Sequence, residues 1–388
     1  MMKRSILSLA LWFGPGLAVA DAPVQDRATG VVDVIPAEPS SEEFPDSLRR
    51  EAQAVVDRTV AWLEAGQYES GSWSNAEFPA LTGLPVWGLA IAGHADSETV
   101  KKGVKYILSC TRDDGSIWRE PSEKRKGGGL PNYNTAICMV ALHAVKDPSL
   151  EETILAARRY VAGGQHEGND VYRGGMGYDP DTGRAYADLS NSYIGYEAMA
   201  LTSRLKEMED EHASADLDWA AATAFVASLQ NDDGGFIYKP GHSMAGAETN
   251  ESGEVQFRSY GSMTYAGLLS LIYAQVDDHD PRIQSAFDWA VHHWTLDENP
   301  GMGAEGIYYF YNILSKSLAI YGQDRFTTPS GSSVNWRAAL TLKLISLQKI
   351  DPETGAGYWV NDQGRWWEND PVLATSYALI ALQIALSD

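Results

Sequence analysis

The sequence predicts an all-α protein, an (α/α)6 toroid in which six outer–inner helical hairpins close into a double ring. Two observations carry that prediction. A short pattern recurs down the chain: aromatic, aliphatic, three residues, Gln, three residues, Gly, one residue, aromatic. It is complete from Phe225-Val226 through Gln230 and Gly234 to Phe236. After each copy, past a loop of variable length, comes an apolar run of helical length. Self-similarity at a period of about 45–65 residues is the mark of a repeat architecture.

The copies follow in order. Trp62-Leu63 leads to Gln67, Gly71 and Trp73. Tyr106-Ile107 leads to Thr111, Gly115 and, one residue late, Trp118. Tyr160-Val161 leads to Gln165 and a turn rebuilt around Gly174-Gly175. Trp289-Ala290 leads to Trp294, with Gly301 and Gly303 delayed, and Leu344 leads to Gln348, Gly355, Gly357 and Trp359. Each copy reads as the last turn of an amphipathic helix. Its Gln is placed to bond carbonyls freed at the helix end or the backbone of a neighbouring unit. Its Gly allows the positive φ of a tight turn. The second runs, 81–92, 134–145, 191–203, 259–274, 306–321 and 373–386, are apolar nearly all round, which suits helices buried on both sides. A single hairpin of this kind cannot bury its apolar face alone, so neighbours must stack.

Residues 1–20 read as a secretory signal: a Lys3-Arg4 start, an apolar segment, and a small-residue cleavage pattern at Ala18-Val19-Ala20. Residues 21–45 are rich in Pro, Ala and acid and read as a flexible linker; residues 46–388 form the toroid. The expected location is therefore outside the cytoplasm, periplasmic or secreted, with no membrane span after cleavage. Formal net charge is −22, which argues against nucleic acid and anionic membrane surfaces as partners. Export permits a Cys110–Cys138 disulfide, and two buried thiols are the other reading. No CxxC or Cys/His cluster points to a metal, and nothing calls for a cofactor. Asp351-Pro-Glu353-Thr-Gly355 and Asp179-Pro-Asp181-Thr-Gly183 could ligate calcium through hard oxygens, and ordinary turns are the other reading.

Loop lengths locate a site. Connections from an outer helix to its inner partner are long and the return connections are short, so the long loops share one rim. The inner-helix N-termini open there with free N–H groups and positive dipole ends. Asn132-Tyr133-Asn134, Asp188 with Asn191 and Tyr193, Arg258 with Tyr260, Glu305 with Tyr308-Tyr309, and Asp370 with Tyr377 gather at these starts. Asn, Asp and Ser are ordinary caps. Repeated Tyr just inside the cap would line a central cavity with apolar faces and hydroxyls.

The copies at 62–73, 102–118 and 225–236 resemble the repeat of the squalene cyclase and protein prenyltransferase β-subunit superfamily, over roughly residues 47–388. The resemblance implies the toroid and an isoprenoid-like or other apolar ligand in its centre, although this fold hosts unrelated chemistries. Zinc-dependent members need a thiolate where Ile307 stands and a His near Ala374, so protein prenylation is not implied. The cyclase acid motif is nearest to 131–136, where Tyr133 takes the place of the acid and is far too weak to protonate an alkene. Thioester chemistry needs Cys-Gly, and neither cysteine precedes a glycine. The candidate catalytic residues are Asp188, Glu305, Asp370 and Tyr133. Three readings stand: an apolar-ligand site, a glycan-active enzyme using rim carboxylates at a suitable separation, and a non-catalytic scaffold for a protein partner.

Overall fold

The computed structural model describes residues 44–122, 129–180, 186–206, 215–250 and 252–387. The leader and nearly all of the linker lie outside them, as do Lys124, Arg125 and Lys126. The helices are α1 (Asp46–Ala65), α2 (Ala80–Leu89), α3 (Glu98–Leu108), α4 (Pro131–Val145), α5 (Glu151–Gly163), α6 (Leu189–Leu201), the short α7 (Ser203–Lys206), α8 (Trp219–Ala227), α9 (Gly261–Tyr273), α10 (Pro281–His292), α11 (Ile307–Tyr321), α12 (Trp336–Leu347) and α13 (Pro371–Leu386). Three two-stranded antiparallel hairpins decorate the loops: β1 (Ala247–Thr249) with β2 (Val255–Phe257), β3 (Arg325–Thr327) with β4 (Ser333–Asn335), and β5 (Lys349–Ile350) with β6 (Gly357–Tyr358).

The inner helices form a closed ring. Helix α2 packs on α4, α4 on α6, α6 on α9, α9 on α11, α11 on α13, and α13 returns to α2. Around them stand α1, α3, α5, α8, α10 and α12. Burial follows the two sequence patterns. In α1, Leu48, Ala52, Val55, Val56, Thr59, Val60 and Leu63 are buried on one stripe. In α13, every residue from Val372 to Ala385 is buried.

The recurring pattern is a set of ties between successive hairpins. The Gln67 amide donates to the carbonyl of Gly71 in its own turn and to that of Thr99 beside the next outer helix, at 3.0 and 2.9 Å. Gln165 likewise reaches Asp218 at 3.2 Å, and Gln230 reaches Arg282 at 2.8 Å. Gln348 donates to the Val55 carbonyl of α1 at 3.0 Å, which joins the last unit to the first. The turn glycine lets the backbone come this close. Gly234 has φ +87°, and a Cβ there would collide with the carbonyl of Ser285 on α10. Gly71 has the same relation to Lys102 on α3.

In five of the six copies the residue that closes the turn hands its N–H to a hydroxyl in the inner helix. Trp73 donates to Thr82, Met176 to Ser192, Phe236 to Thr264 and Trp359 to Thr375, at 3.3, 2.8, 3.1 and 2.9 Å. In the second copy Ile117, not Trp118, does this, donating to Thr135 at 2.9 Å. Ile117 is fully buried, while Trp118 lies outside the slot under the Arg112 guanidinium. The slot needs an apolar body in register, and an aliphatic side chain fills it.

Candidate functional site at the rim

The inner-helix starts do share one rim with the long loops, but their N–H groups are not free. Five of the six starts, those of α2, α4, α6, α9 and α11, take a bond from the hairpin that follows, and α13 is capped by its own Asp370. Asn134 Oδ1 accepts the Ala80 N–H of α2 at 2.8 Å. Asn132 N–H donates to the Tyr178 carbonyl, Leu189 N–H to that of Tyr238 and Gly261 N–H to that of Pro300. Asn299 accepts the Ser262 N–H at 2.9 Å, and Glu368 accepts the Tyr309 N–H at 2.7 Å. The donors expected to face a ligand are consumed in joining one hairpin to the next.

What faces the centre is a layer of tyrosines. Tyr133 of α4 and Tyr377 of α13 place their hydroxyls 3.0 Å apart. Tyr309 of α11 packs its ring 5.8 Å from that of Tyr377 and bonds Ser190 of α6 at 2.9 Å. Tyr133 and Tyr309 keep partial exposure, and Tyr377 lies beneath. Burial pushes the Tyr133 hydroxyl up to about 12 and raises those of Tyr309 and Tyr377 well above the ordinary value, so all three stay protonated donors.

One turn and more below, charge crosses the hub. Lys316 of α11 lies 3.0 Å from Glu197 of α6, with side chains 4% and 2% exposed. Its ammonium also donates to Tyr193 at 3.1 Å and sits 4.1 Å from the Trp87 ring centre. Glu197 accepts the Tyr193 and Tyr273 hydroxyls, each at 3.1 Å. Burial pulls the Lys316 pKa down, and Glu197 partly restores it. Contacts from α2, α6, α9 and α11 thus meet across the hub at this level, and they belong to the core rather than to a lining. Tyr193, expected as a ligand residue, sits here.

Asp188 anchors a second cluster. It is wholly buried and accepts the Asn191 N–H and amide, at 2.8 and 2.7 Å, and the Tyr186 hydroxyl at 3.0 Å. Tyr238 lies 3.3 Å beyond Tyr186. Burial raises the Asp188 carboxyl, and the bonds it accepts oppose that rise. Asn191 Oδ1 and Asn132 Oδ1 are buried without a partner among the described residues. Tyr260, buried at the start of α9, is electrostatically close to both Asp188 and Arg365.

The other candidates lie apart. Glu305 pairs with Arg365 at 2.5 Å. Asp370 caps α13 through Val372 N–H at 2.8 Å and accepts the Ser74 hydroxyl. Arg258 is exposed beside Glu248 at 3.4 Å. Tyr308 is buried edge-on to Tyr311. Asn134 is held by its cap and by the Gly129 carbonyl. Cys110 and Cys138 are both buried free thiols with no disulfide between them, and Arg119 Nε donates to Cys110 Sγ at 3.1 Å.

Sequence reasoning passed over five residues that matter here. Glu197 and Lys316 stand as lone charges inside apolar helical runs, a signal available in the sequence. Glu368 is nearly fully buried, its carboxyl raised by burial against the bonds from the start of α11. The pair Trp366-Trp367 stands in a polar loop, which is the other readable signal. Among the described residues, no group of three or more His, Cys, Asp and Glu side chains gathers as a metal site, and no helix is long and apolar enough to cross a membrane.

Closed ring, turn pattern and rim loops define an α/α toroid of the kind shared by terpene cyclases, prenyltransferase subunits and certain glycosidases. No family model matches the chain. Among solved structures it is similar to a type II terpene cyclase from Scytonema in complex with geranylgeranyl dihydroxybenzoate, at TM-score 0.51 and 12% identity, covering 88% of this chain and 98% of that one. It is similar to the protein geranylgeranyltransferase-I of Candida albicans, at TM-score 0.52 and 12% identity over 85% and 91%. It is similar to a GH76 α-mannanase of Bacteroides thetaiotaomicron, at TM-score 0.53 and 12% identity over 86% and 95%. In sequence, 92 residues are 30% identical to a squalene–hopene cyclase of Zymomonas mobilis, a match over 20% of this chain and 14% of that protein.

Proposed function

We propose that the protein binds an isoprenoid-like ligand in the tyrosine-floored bowl at the rim end of its hub, and that it does so as an exported protein. The observation that carries this is the meeting of Tyr133, Tyr309 and Tyr377, brought from three inner helices to one partly exposed layer. Three aromatic faces give an apolar ligand a floor, and their protonated hydroxyls give it oriented donors. The Lys316–Glu197 level below favours a shallow ligand over one threading the hub. Asp188, held protonated to higher pH than an ordinary carboxyl, is the acid best suited to a neighbouring reaction, although its own partners enclose it.

The glycosidase alternative has less support. It needs two carboxylates facing a common space. Asp188 and Asp370 are engaged by helix N–H groups, and Glu305 by Arg365. The test is organic extraction of the purified full chain followed by mass spectrometry. An isoprenoid-class lipid that co-purifies at near one equivalent, and falls away in Tyr309→Ala with the helical fold retained, is the expected result. Recovery of no such lipid, together with no binding of added geranylgeraniol by wild type, would sink the reading.

A further inference from the structure

At the junction of the first and last hairpins, the backbone is strained at three bulky or polar residues. Ser74, Trp366 and Trp367 have φ of 49°, 55° and 66°, half of the non-glycine positive-φ residues among the described part of the chain. Side chains with a Cβ enter that region rarely, and for an indole it is a genuine outlier that surrounding structure must impose. Both tryptophans stand 42% open to solvent.

Beside Trp367 lies an open depression of about 480 Å³, lined by Asn75, Gly364, Trp367, Asn369 and Asp370. That volume falls within the roughly 300–1,000 Å³ usual for small-ligand sites. The indole is fixed in place, because Phe78 meets it edge-on with ring centres 4.9 Å apart. Two backbone bonds brace it, from Trp367 N–H to the Gly364 carbonyl at 3.2 Å and from Asp370 N–H to the Trp367 carbonyl at 2.8 Å. Trp366 is braced separately, with the Arg365 guanidinium 4.5 Å from its ring centre. The polar wall is made of amides. Asn369 is exposed, and its side chain bonds no other described residue. Asn75 commits only its Oδ1, to the Glu77 N–H at 2.9 Å.

We infer that this depression is a saccharide-binding subsite. The C–H face of a pyranose packs on a fixed, exposed indole, and a side-chain amide supplies a donor and an acceptor to adjacent hydroxyls. A purely apolar ligand would leave those amides unpaired. An anionic one would meet Asp370 and a chain of formal charge −22. A neutral sugar satisfies both constraints. The subsite stands on residues other than the tyrosine layer and does not depend on what the bowl holds.

The test is titration of the full chain with neutral glucose-, mannose- and xylose-based mono- and tetrasaccharides, followed by tryptophan fluorescence and calorimetry. We expect saturable binding of at least one, weakened tenfold or more in Trp367→Ala and severalfold in Asn369→Ala. Asn369 is exposed, so that second variant keeps the test valid where Trp367→Ala lowers stability. Tyr309→Phe should leave sugar affinity unchanged. Absence of saturation by every member of the panel at tens of millimolar overturns the assignment, as does sugar binding that survives both depression variants intact.

Discussion

Replacing Lys316 by Met gives the sharpest test of how the hub is built. The ammonium and the Glu197 carboxylate are 3.0 Å apart with almost no exposure, and neither can reach water without parting the inner ring. Met keeps the length and apolar stem of Lys and still packs on Trp87. What is lost is the positive charge. Glu197 keeps the Tyr193 and Tyr273 hydroxyls, yet its charge is left buried without a counter-ion. Breaking one side of such a pair costs about 3–5 kcal/mol, whereas replacing both members with apolar residues is often neutral or stabilising by about 1–4 kcal/mol. Urea unfolding of wild type, Lys316→Met, Glu197→Leu and the double variant gives the cycle. The expected pattern is two costly single changes and a double variant that recovers most of the loss. A Lys316→Met protein within 1 kcal/mol of wild type would refute the claim that the charge is buried and paired at the centre.

Two other outcomes follow from the same geometry. Gln348→Ala removes three bonds between the last turn and α1: those the amide donates to the Val55 carbonyl and the Thr59 hydroxyl, and the one it accepts from Arg58 Nε. This should cost about 1–3 kcal/mol, visible as a lower Tm with the α-helical circular dichroism spectrum intact. An unchanged Tm would mean that ring closure does not run through this glutamine. Asp188 has its carboxyl raised by burial above the ordinary 3.8, so the folded chain holds a proton there at pH values where the unfolded chain has released it. That stabilising contribution is present at low pH and lost as pH rises through the folded value. Asp188→Asn should therefore show a flatter fall in stability over the mildly acidic range than wild type, measured by urea titration at stepped pH. A steeper fall would reverse the sign.

The fold was legible because its evidence is periodic. Gln67, Gln165, Gln230 and Gln348 each make the same local tie, so one good copy teaches the others, and the inner runs declare their burial by lacking a polar face. The site was less legible because its contacts join residues far apart in sequence. Tyr133 stands at an inner-helix start as read, whereas Tyr377 is the seventh residue of α13, well inside the helix rather than beside its cap, and that their hydroxyls touch follows only from ring closure. Asn134 and Asp188 look alike as caps, yet one serves a neighbouring helix and the other its own. Glu197 and Lys316 could have been noticed as isolated charges. Their pairing across α9 could not, since nothing local sets the rotation of α6 against α11.

The direction of the ties has a physical consequence. Each glutamine reaches forward to the next outer helix, and most inner-helix starts are capped from the next hairpin. In an open array the last unit would have no forward neighbour, and its turn and cap would be left unpaired, which is why open repeat proteins need specialised ends. Here Gln348 finds α1, α13 finds α2, and the guanidinium of Arg49 on α1 donates to the Leu386 carbonyl at 2.8 Å. Closure supplies the missing neighbour. It also concentrates at one seam the residues that no repeat rule governs: Ser74 and Asn75 from the first hairpin, Trp366, Trp367, Asn369 and Asp370 from the last. A seam is where a repeating scaffold is free to depart from its own pattern. The strained, exposed indoles lie there, while the tyrosine layer stays within the periodic part of the ring.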